Sequence, residues 1–318
     1  MGRGVYVVDA KTGEHIWSIS PDTFSPSTGT HRAEAGMTFA IAADLSVINT
    51  DLDVQNLADR IYAADTGGNI WRINISNADP TTWTWGKLAS LSGAAAADKR
   101  KFLFPPDVVA YNSTTDSVLI GSGDREHPFD TSINNRFYMI KDSHGINDVP
   151  ASPAITELDL VDLTSNTLQD PTATQAQIDD INGDLAAMKG WFIRLATGEK
   201  VVTGVTTLGG TTIFATNTPT SVSTPGSCTG PLGTALIYAV GFKDATATID
   251  VNGDGVFNLA DRSEERVGGG LPPTPIPFAT QIGNNYYEGA ITGTQVVQPP
   301  TSPIGQRYRV FWNLSVDN

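Results

Sequence analysis

The sequence has a single cysteine, no long hydrophobic run and few basic residues. One thiol, Cys228, excludes an internal disulfide and any cysteine-based zinc or redox pair. No run approaches the roughly 18 apolar residues of a membrane-spanning helix, so no such span is predicted. The 20 Lys and Arg residues against 34 Asp and Glu residues give a net charge of −14. Because phosphate binding needs clustered Lys and Arg, nucleic acid is excluded as a partner.

The composition indicates a globular protein built from strands and turns. A hydrophobic fraction of 40% over 318 residues is enough to form a core, which excludes wholesale disorder. The chain also contains 31 Gly and 19 Pro residues, which favour turns over long helices. These features predict an all-β fold of many short strands. Strand residues begin at Val5 with no lead-in, so we expect a piece of a longer protein, its C-terminal part.

A strand-turn-strand motif recurs along the chain. Residues 4–17 and 60–73 both have an aromatic in the first strand, Asp before a Gly turn, and Trp in the return strand. Weaker copies lie at residues 136–142, 190–202, 235–240 and 308–312, and the copy at 190–202 includes its own return strand. Repeated hairpins predict a modified β-propeller of four-stranded blades with loop insertions, forming one domain over residues 1–318. A large sandwich or barrel is the alternative, and the repeated Trp, interpreted as packing between blades, favours the propeller.

One stretch has helical periodicity. Ile178, Ile181, Leu185 and Met188 are spaced three, four and three residues apart. The spacing predicts a short helical insertion near residues 172–188, within a larger insertion at about 143–189, and Gly190 is predicted to end the helix.

The sharpest candidate site is the segment 250–261. It matches the calcium-loop pattern D-x-[DN]-x-[DN]-G-x5-E, except that Asp261 replaces the final Glu. Calcium takes about six to eight oxygens, and side chains at loop positions one, three and five converge on one point, while Gly255 permits the sharp turn. The predicted calcium ligands are Asp250, Asn252, Asp254, the Val256 carbonyl, Asn258 and Asp261.

A second acidic segment precedes the hairpin at residue 60. Asp51, Asp53 and Gln55 alternate, the Leu57 carbonyl can contribute, and Asp59 can close a nine-residue loop. On spacing alone, a metal site and a solvated acidic turn are both open.

A further specific motif is Gly-Asp-Arg-Glu-His-Pro at residues 123–128, followed by Asn-Arg-Phe-Tyr at residues 135–138. With this motif, the sequence resembles the C-terminal propeller of the PilY/PilC family of type IV pilus biogenesis factors and tip adhesins. The resemblance also rests on residues 4–17, 59–72, 190–202, 269–275 and 309–312.

The resemblance implies a modified propeller with a calcium loop of pattern D-x-D-x-N-x-x-x-D. That pattern maps onto Asp51, Asp53, Gln55 and Asp59, with Gln55 where the family has Asn. It further implies a non-enzymatic protein of the pilus tip, cell surface, outer membrane or periplasm of a Gram-negative bacterium. Such a protein supports pilus extension against retraction, twitching motility and attachment to host or abiotic surfaces. Minor pilins and the tip complex are the implied partners.

Two other functions are compatible with parts of the sequence. A quinone-dependent propeller dehydrogenase shares the Asp-to-Trp hairpins, but it needs regular blades and often adjacent cysteines, whereas only Cys228 is present. A dockerin-like interaction module has loops like residues 250–261, but it carries two of them on paired helices. Cofactor addition and a pull-down, respectively, distinguish these alternatives.

Overall fold

The computed structural model describes residues 2–49, 57–143, 149–150, 152–220, 232–266, 268–282, 285–293 and 295–298. Within these ranges, five sheets follow one another along the chain. The first contains β1 (Val5–Val8), β2 (His15–Ser20) and β3 (Thr30–Ala33), and the second β4 (Ser46–Ile48), β5 (Arg60–Ala64), β6 (Asn69–Asn74) and β7 (Thr84–Ser90). The third contains β8 (Asp107–Asn112), β9 (Thr115–Gly121), β10 (Arg136–Ser143), β11 (Val161–Asp162) and β12 (Gly190–Arg194). The fourth contains β13 (Lys200–Val201), β14 (Thr206–Leu208), β15 (Thr211–Thr218), β16 (Thr234–Gly241) and β17 (Ser263–Glu265). The fifth contains β18 (Ile276–Ile282), β19 (Asn285–Thr292) and β20 (Gln295–Val297).

The predicted all-β fold with a short helix is confirmed. The second sheet has the predicted four strands, whereas the other sheets have three or five within the described ranges. Most neighbouring strands are antiparallel, but β2 pairs with β3 and β11 pairs with β12 in parallel. These parallel strands are added by the connections between hairpins, which is why the sequence repeat alone did not predict them.

The second copy of the hairpin motif shows why Asp, Gly and Trp recur together. The fully buried carboxylate of Asp65 accepts hydrogen bonds from the backbone of Gly67 at 2.8 Å and of Asn69 at 3.0 Å, which close the turn between β5 and β6. It also accepts a bond from Trp71 Nε1 at 3.0 Å, so the turn holds the indole of the return strand. In the first copy, the half-buried Asp9 carboxylate accepts hydrogen bonds from its own turn, at Lys11 and Thr12.

The copy at residues 190–202 is a hairpin in sequence but not in structure. β12 pairs with β10 and β11 in the third sheet, whereas β13 pairs with β15 in the fourth. The turn between them is therefore a crossing from one sheet to the next. The prediction of a return strand beside β12 was wrong, because two strands that are adjacent in sequence can join either the same sheet or two different sheets.

The predicted helix is confirmed as α1 (Gln175–Ala187), which begins at a Thr174 capping box with Gln177. Leu185 is buried, so the apolar stripe faces the third sheet. The helix ends at Ala187, and Gly190 instead begins β12 with φ of +141°, where a Cβ would collide with the Met139 carbonyl. No helix in the described part of the chain is long and apolar enough to cross a membrane.

In the described residues, the core consists of four apolar layers, one between each consecutive pair of sheets. The layers contain, in order, Trp17 with Trp71, Tyr62 with Ile120, Phe137 with Phe214, and Ile213 with Ala290. Successive residues of a central strand enter different layers; on β9, for example, Leu119 faces the fourth sheet and Ile120 the second. Both faces of the middle sheets are thus buried, and Trp17, Trp71 and Trp191 pack in the core as predicted. The fourth Trp of that prediction, Trp312, and the hairpin copy at residues 308–312 lie outside the described residues.

Two buried ion pairs join the second sheet to the third. Arg60 Nη1 lies 3.0 Å from Asp116 Oδ2, and Arg72 Nη1 lies 2.7 Å from Asp142 Oδ1. Tyr62 donates its hydroxyl to Asp142 Oδ2 at 2.7 Å. Burial raises the pKa of Asp142, although Arg72 and Tyr62 act in the opposite direction. Burial and the neighbouring carboxylates also raise the pKa of Tyr62.

We predict that Arg72→Met lowers the free energy of unfolding by about 3–5 kcal/mol, because it leaves the Asp142 carboxylate buried without its cation. Denaturant unfolding at neutral pH measures the loss, and adding Asp142→Asn to the same chain should recover part of it. The matched control is Arg194→Met. Its partner Asp162 is 2.8 Å away, but the side chains are 56% and 37% exposed, so the expected loss is about 1 kcal/mol or less. Equal losses in both single variants would contradict the prediction.

Candidate metal centre

The segment 250–261 forms one compact turn between β16 and β17 of the fourth sheet. Gly253 and Gly255 have φ of +73° and +80°, which residues with a Cβ rarely adopt. The glycine predicted to permit the sharp turn therefore does so. The loop connects two strands and ends in a four-residue 3-10 helix, Leu259–Arg262. The dockerin-like alternative needs paired helices around such a loop, and they are not present in this part of the chain.

The side chains predicted as the first three ligands shape the loop. Asp250 accepts hydrogen bonds from the backbone of Gly253 and Gly255, both at 2.8 Å. Asn252 Oδ1 accepts from the backbone of Asp254 at 2.9 Å, and Asp254 Oδ1 from that of Val256 at 2.7 Å. The backbone thus winds around its own acidic side chains.

Asp261 closes the loop from the other end. It is fully buried, and its Oδ1 accepts from the backbone of Val251 at 3.0 Å and of Asn252 at 3.4 Å. Its Oδ2 accepts from the backbone of Asn258 at 3.0 Å, completing a capping box. The carboxylate predicted at position twelve therefore lies against positions two and three, which brings the beginning and end of the loop together.

The donor set suits calcium. Every predicted ligand offers an oxygen from a carboxylate, an amide or a carbonyl, which is the preference of a hard cation. The three carboxylates do not yet converge, since in the described residues they do not form a group whose oxygens all lie within 4.8 Å of one another. The Val256 carbonyl accepts from Asn258 Nδ2 at 3.3 Å. Ligation therefore requires these side chains to turn inward within a loop whose backbone path is already set.

Only the last three residues of the second predicted loop lie within the described part of the chain. Asp51, Asp53 and Gln55 lie outside the described residues. Leu57 is exposed, whereas Asp59 is 5% exposed and directly precedes β5. The backbone of Asp59 donates to Ile48 and accepts from Ile75, so this end of the loop is anchored in the second sheet.

The motif at residues 123–128 contains a cluster that the sequence analysis missed. Asp124, Glu126 and His127 place one ligand atom each within 4.8 Å of one another. Lys101 Nζ lies 2.6 Å from Asp124 Oδ2, and His127 Nδ1 lies 3.0 Å from it. Partial burial raises the pKa of Asp124, but these bonds outweigh it and hold the pKa below its usual range. Because Lys101 already neutralises this carboxylate, the cluster is better explained as a fixed turn than as a metal site.

A buried lysine binds backbone carbonyls at and just after the end of the same motif. Lys200 Nζ donates to the carbonyls of His127 at 3.1 Å, Pro128 at 2.8 Å and Asp130 at 2.7 Å. Burial lowers the pKa of Lys200, with Asp130 acting in the opposite direction. Lys200 is 70 or more residues from the carbonyls that it binds, so no local pattern in the sequence indicates this contact.

A solved structure, the C-terminal domain of Pseudomonas aeruginosa PilY1, matches 95% of this chain and 67% of its own length, with a TM-score of 0.60 and 14% sequence identity. The chain has the fold of the PilY1 C-terminal domain. A curated relative, the type IV pilus biogenesis factor PilY1 homolog of Xylella fastidiosa (strain Temecula1), is 35% identical over 83 residues. Those residues make up 26% of this chain and 5% of the relative, so the chain matches a small part of that protein.

The resemblance to the PilY/PilC propeller is therefore confirmed by fold and by one segment of sequence. The BamB protein from Moraxella catarrhalis aligns over 91% of this chain and 74% of its own, at 10% identity, but the TM-score of 0.28 is too low to support any argument. No family model matches the chain.

We predict that Asp261→Ala and Asp254→Ala differ in stability when calcium is removed by a chelator. Asp261→Ala removes a buried carboxylate and leaves three partly buried backbone N–H groups without their acceptor, so we expect a loss of about 2–3 kcal/mol. Asp254→Ala removes one exposed hydrogen bond and should cost about 0.5 kcal/mol or less. Denaturant unfolding in chelator measures both values. A loss in Asp261→Ala no larger than that in Asp254→Ala would show that Asp261 does not close the loop.

Proposed function

We propose that this chain is the calcium-binding propeller of a type IV pilus biogenesis factor and tip-associated adhesin. In this role it supports pilus extension against retraction, twitching motility and surface attachment. The observation on which the proposal rests is the PilY1 C-terminal fold over 95% of the chain, together with the segment that is 35% identical to a type IV pilus biogenesis factor. Its proposed partners are minor pilins and the tip complex, and its proposed place is the pilus tip or cell surface of a Gram-negative bacterium.

The proposed sites are the loop 250–261 and, with Gln55 in place of Asn, the loop 51–59. In the first, Asp250, Asp254 and Asp261 place three negative charges within one turn. Bound calcium supplies the positive charge that offsets their repulsion. The side chains of this loop already bind its backbone, so we expect binding to change the positions of these side chains and the order of the adjoining segments, without a new backbone path for the loop. Extracellular calcium modules bind with dissociation constants of roughly 10⁻⁴–10⁻³ M, which suits a protein that responds to the medium.

We propose that the chain acts by binding and not by catalysis. A quinone-dependent dehydrogenase, the alternative, makes a direct prediction: the purified chain supplied with quinocofactor and an alcohol substrate should reduce a dye acceptor. Turnover in that assay would overturn the non-enzymatic proposal.

Calcium titration by calorimetry tests the two sites. We expect two binding events in the unaltered chain, one lost in Asp254→Ala and the other in Asp59→Ala. The matched control is Asp79→Ala, since Asp79 also is an exposed aspartate that binds the backbone two residues ahead, at 2.9 Å, but lies outside both loops. A single event, lost only in Asp254→Ala, would mean that Gln55 disables the second loop. No heat of binding would overturn the calcium proposal and leave the fold.

A genetic test addresses the pilus role. Deleting the gene in its own host should reduce surface pilin and the twitching zone, and the unaltered gene should restore both. Restoration that depends on added calcium and fails with Asp254→Ala would support regulation through the loop 250–261. A deletion strain with normal pili and motility would contradict the proposed function.

A further inference from the structure

Both ends of the loop 250–261 are held by one short segment of the insertion between β11 and α1. At the far end, Arg262 follows Asp261 and is 2% exposed. Its Nη1 donates to the carbonyls of Leu163 at 2.7 Å and Thr164 at 3.2 Å, and its Nη2 donates to Asn166 Oδ1 at 3.1 Å. These hydrogen bonds hold Arg262, the residue directly after the last predicted ligand, against the insertion.

At the near end, the same segment binds the backbone just before Asp250. Gln169 Nε2 donates to the Ala247 carbonyl at 3.0 Å, and Gln169 Oε1 accepts from the Ala247 backbone at 2.7 Å. Asn166 Nδ2 donates to Gln169 Oε1 at 2.9 Å. Asn166, Gln169 and Arg262, which we call the loop clamp, thus form a continuous chain of hydrogen bonds from one stem of the loop to the other.

Asn166 is the centre of the loop clamp. It is 2% exposed and has φ of +54°, a backbone conformation that Asn tolerates better than most residues. Its amide oxygen accepts a hydrogen bond from Arg262, and its amide nitrogen donates one to Gln169. An amide is needed at this place because the side chain must accept from one neighbour and donate to the other.

We propose that the loop clamp positions the metal loop, so that calcium binding at residues 250–261 and the order of residues 163–169 are coupled. This inference rests on the proposed calcium site. Fixing both stems before binding removes part of the entropy that a free loop loses when its ligands converge. Residues that orient metal ligands without touching the metal typically change affinity by about 10–100-fold when they are replaced. Because coupling is reciprocal, calcium should in turn protect the segment 163–169.

The test is calcium titration of the full chain by calorimetry, with Asn166→Ala as the variant. We expect its dissociation constant for the loop 250–261 to rise about tenfold. The matched control is Asn69→Ala: Asn69 is also buried and also bonded through its side chain, to Asp65 and Ser90, but it lies in the second sheet. We expect its calcium affinity to be unchanged. Gln169→Ala, at a half-buried residue, serves if Asn166→Ala does not fold.

Hydrogen exchange gives an independent readout. In the unaltered chain, calcium should slow amide exchange within residues 163–169, none of which is a predicted ligand, and the effect should disappear in Asp254→Ala. If the unaltered chain binds calcium but Asn166→Ala and Gln169→Ala bind it equally well, the coupling is overturned and the proposed function stands. If the unaltered chain does not bind calcium at this loop, the calcium proposal and the coupling are both overturned.

Discussion

The contact between the second and third sheets depends on charge as much as on shape. Asp116 and Asp142 lie directly opposite one another on β9 and β10, so the third sheet alone would bury two facing carboxylates. Arg60 and Arg72 of the second sheet neutralise them one for one. A slip of one sheet against the other would leave buried charges without partners, at a cost of several kcal/mol. The pairs therefore define one arrangement of the two sheets, and the first and fourth sheets pack on the outer faces of that pair.

In the candidate metal loop, the charged side chains likewise have fixed partners within the protein. Its carboxylates are not simply exposed charges, because Asp250 and Asp261 each bind backbone N–H groups from elsewhere in the loop. Arg262 then connects the loop to the insertion through a buried guanidinium. Burial lowers the pKa of Arg262 to about 10, so the group stays charged at neutral pH. The loop and the insertion are thus one polar unit on the fourth sheet.

The sequence predicted features that depend on neighbours in the chain, and it failed where distant residues decide. The hairpins at residues 4–17 and 60–73, the helix at residues 172–188 and the turn at Gly255 follow from local spacing, and all are present. The assignment of β12 and β13 to different sheets does not, because two adjacent strands can join either the same sheet or successive ones. Arg262 and Asn166 are 96 residues apart, and Lys200 is about 70 residues from the carbonyls it binds, so no periodicity indicates either contact.

The order of the sheets has a consequence for how the chain reaches this structure. Each apolar layer joins sheets that are consecutive in sequence, and none in the described ranges joins the first sheet to the fifth. Loop-closure entropy therefore stays small for each step, as it does in repeat proteins, where structure propagates from one unit to the next. The first two sheets can form as soon as the chain up to Ser90, the end of β7, is available. Folding can then keep pace with the emergence of the chain, each new sheet covering the apolar face left by the one before it.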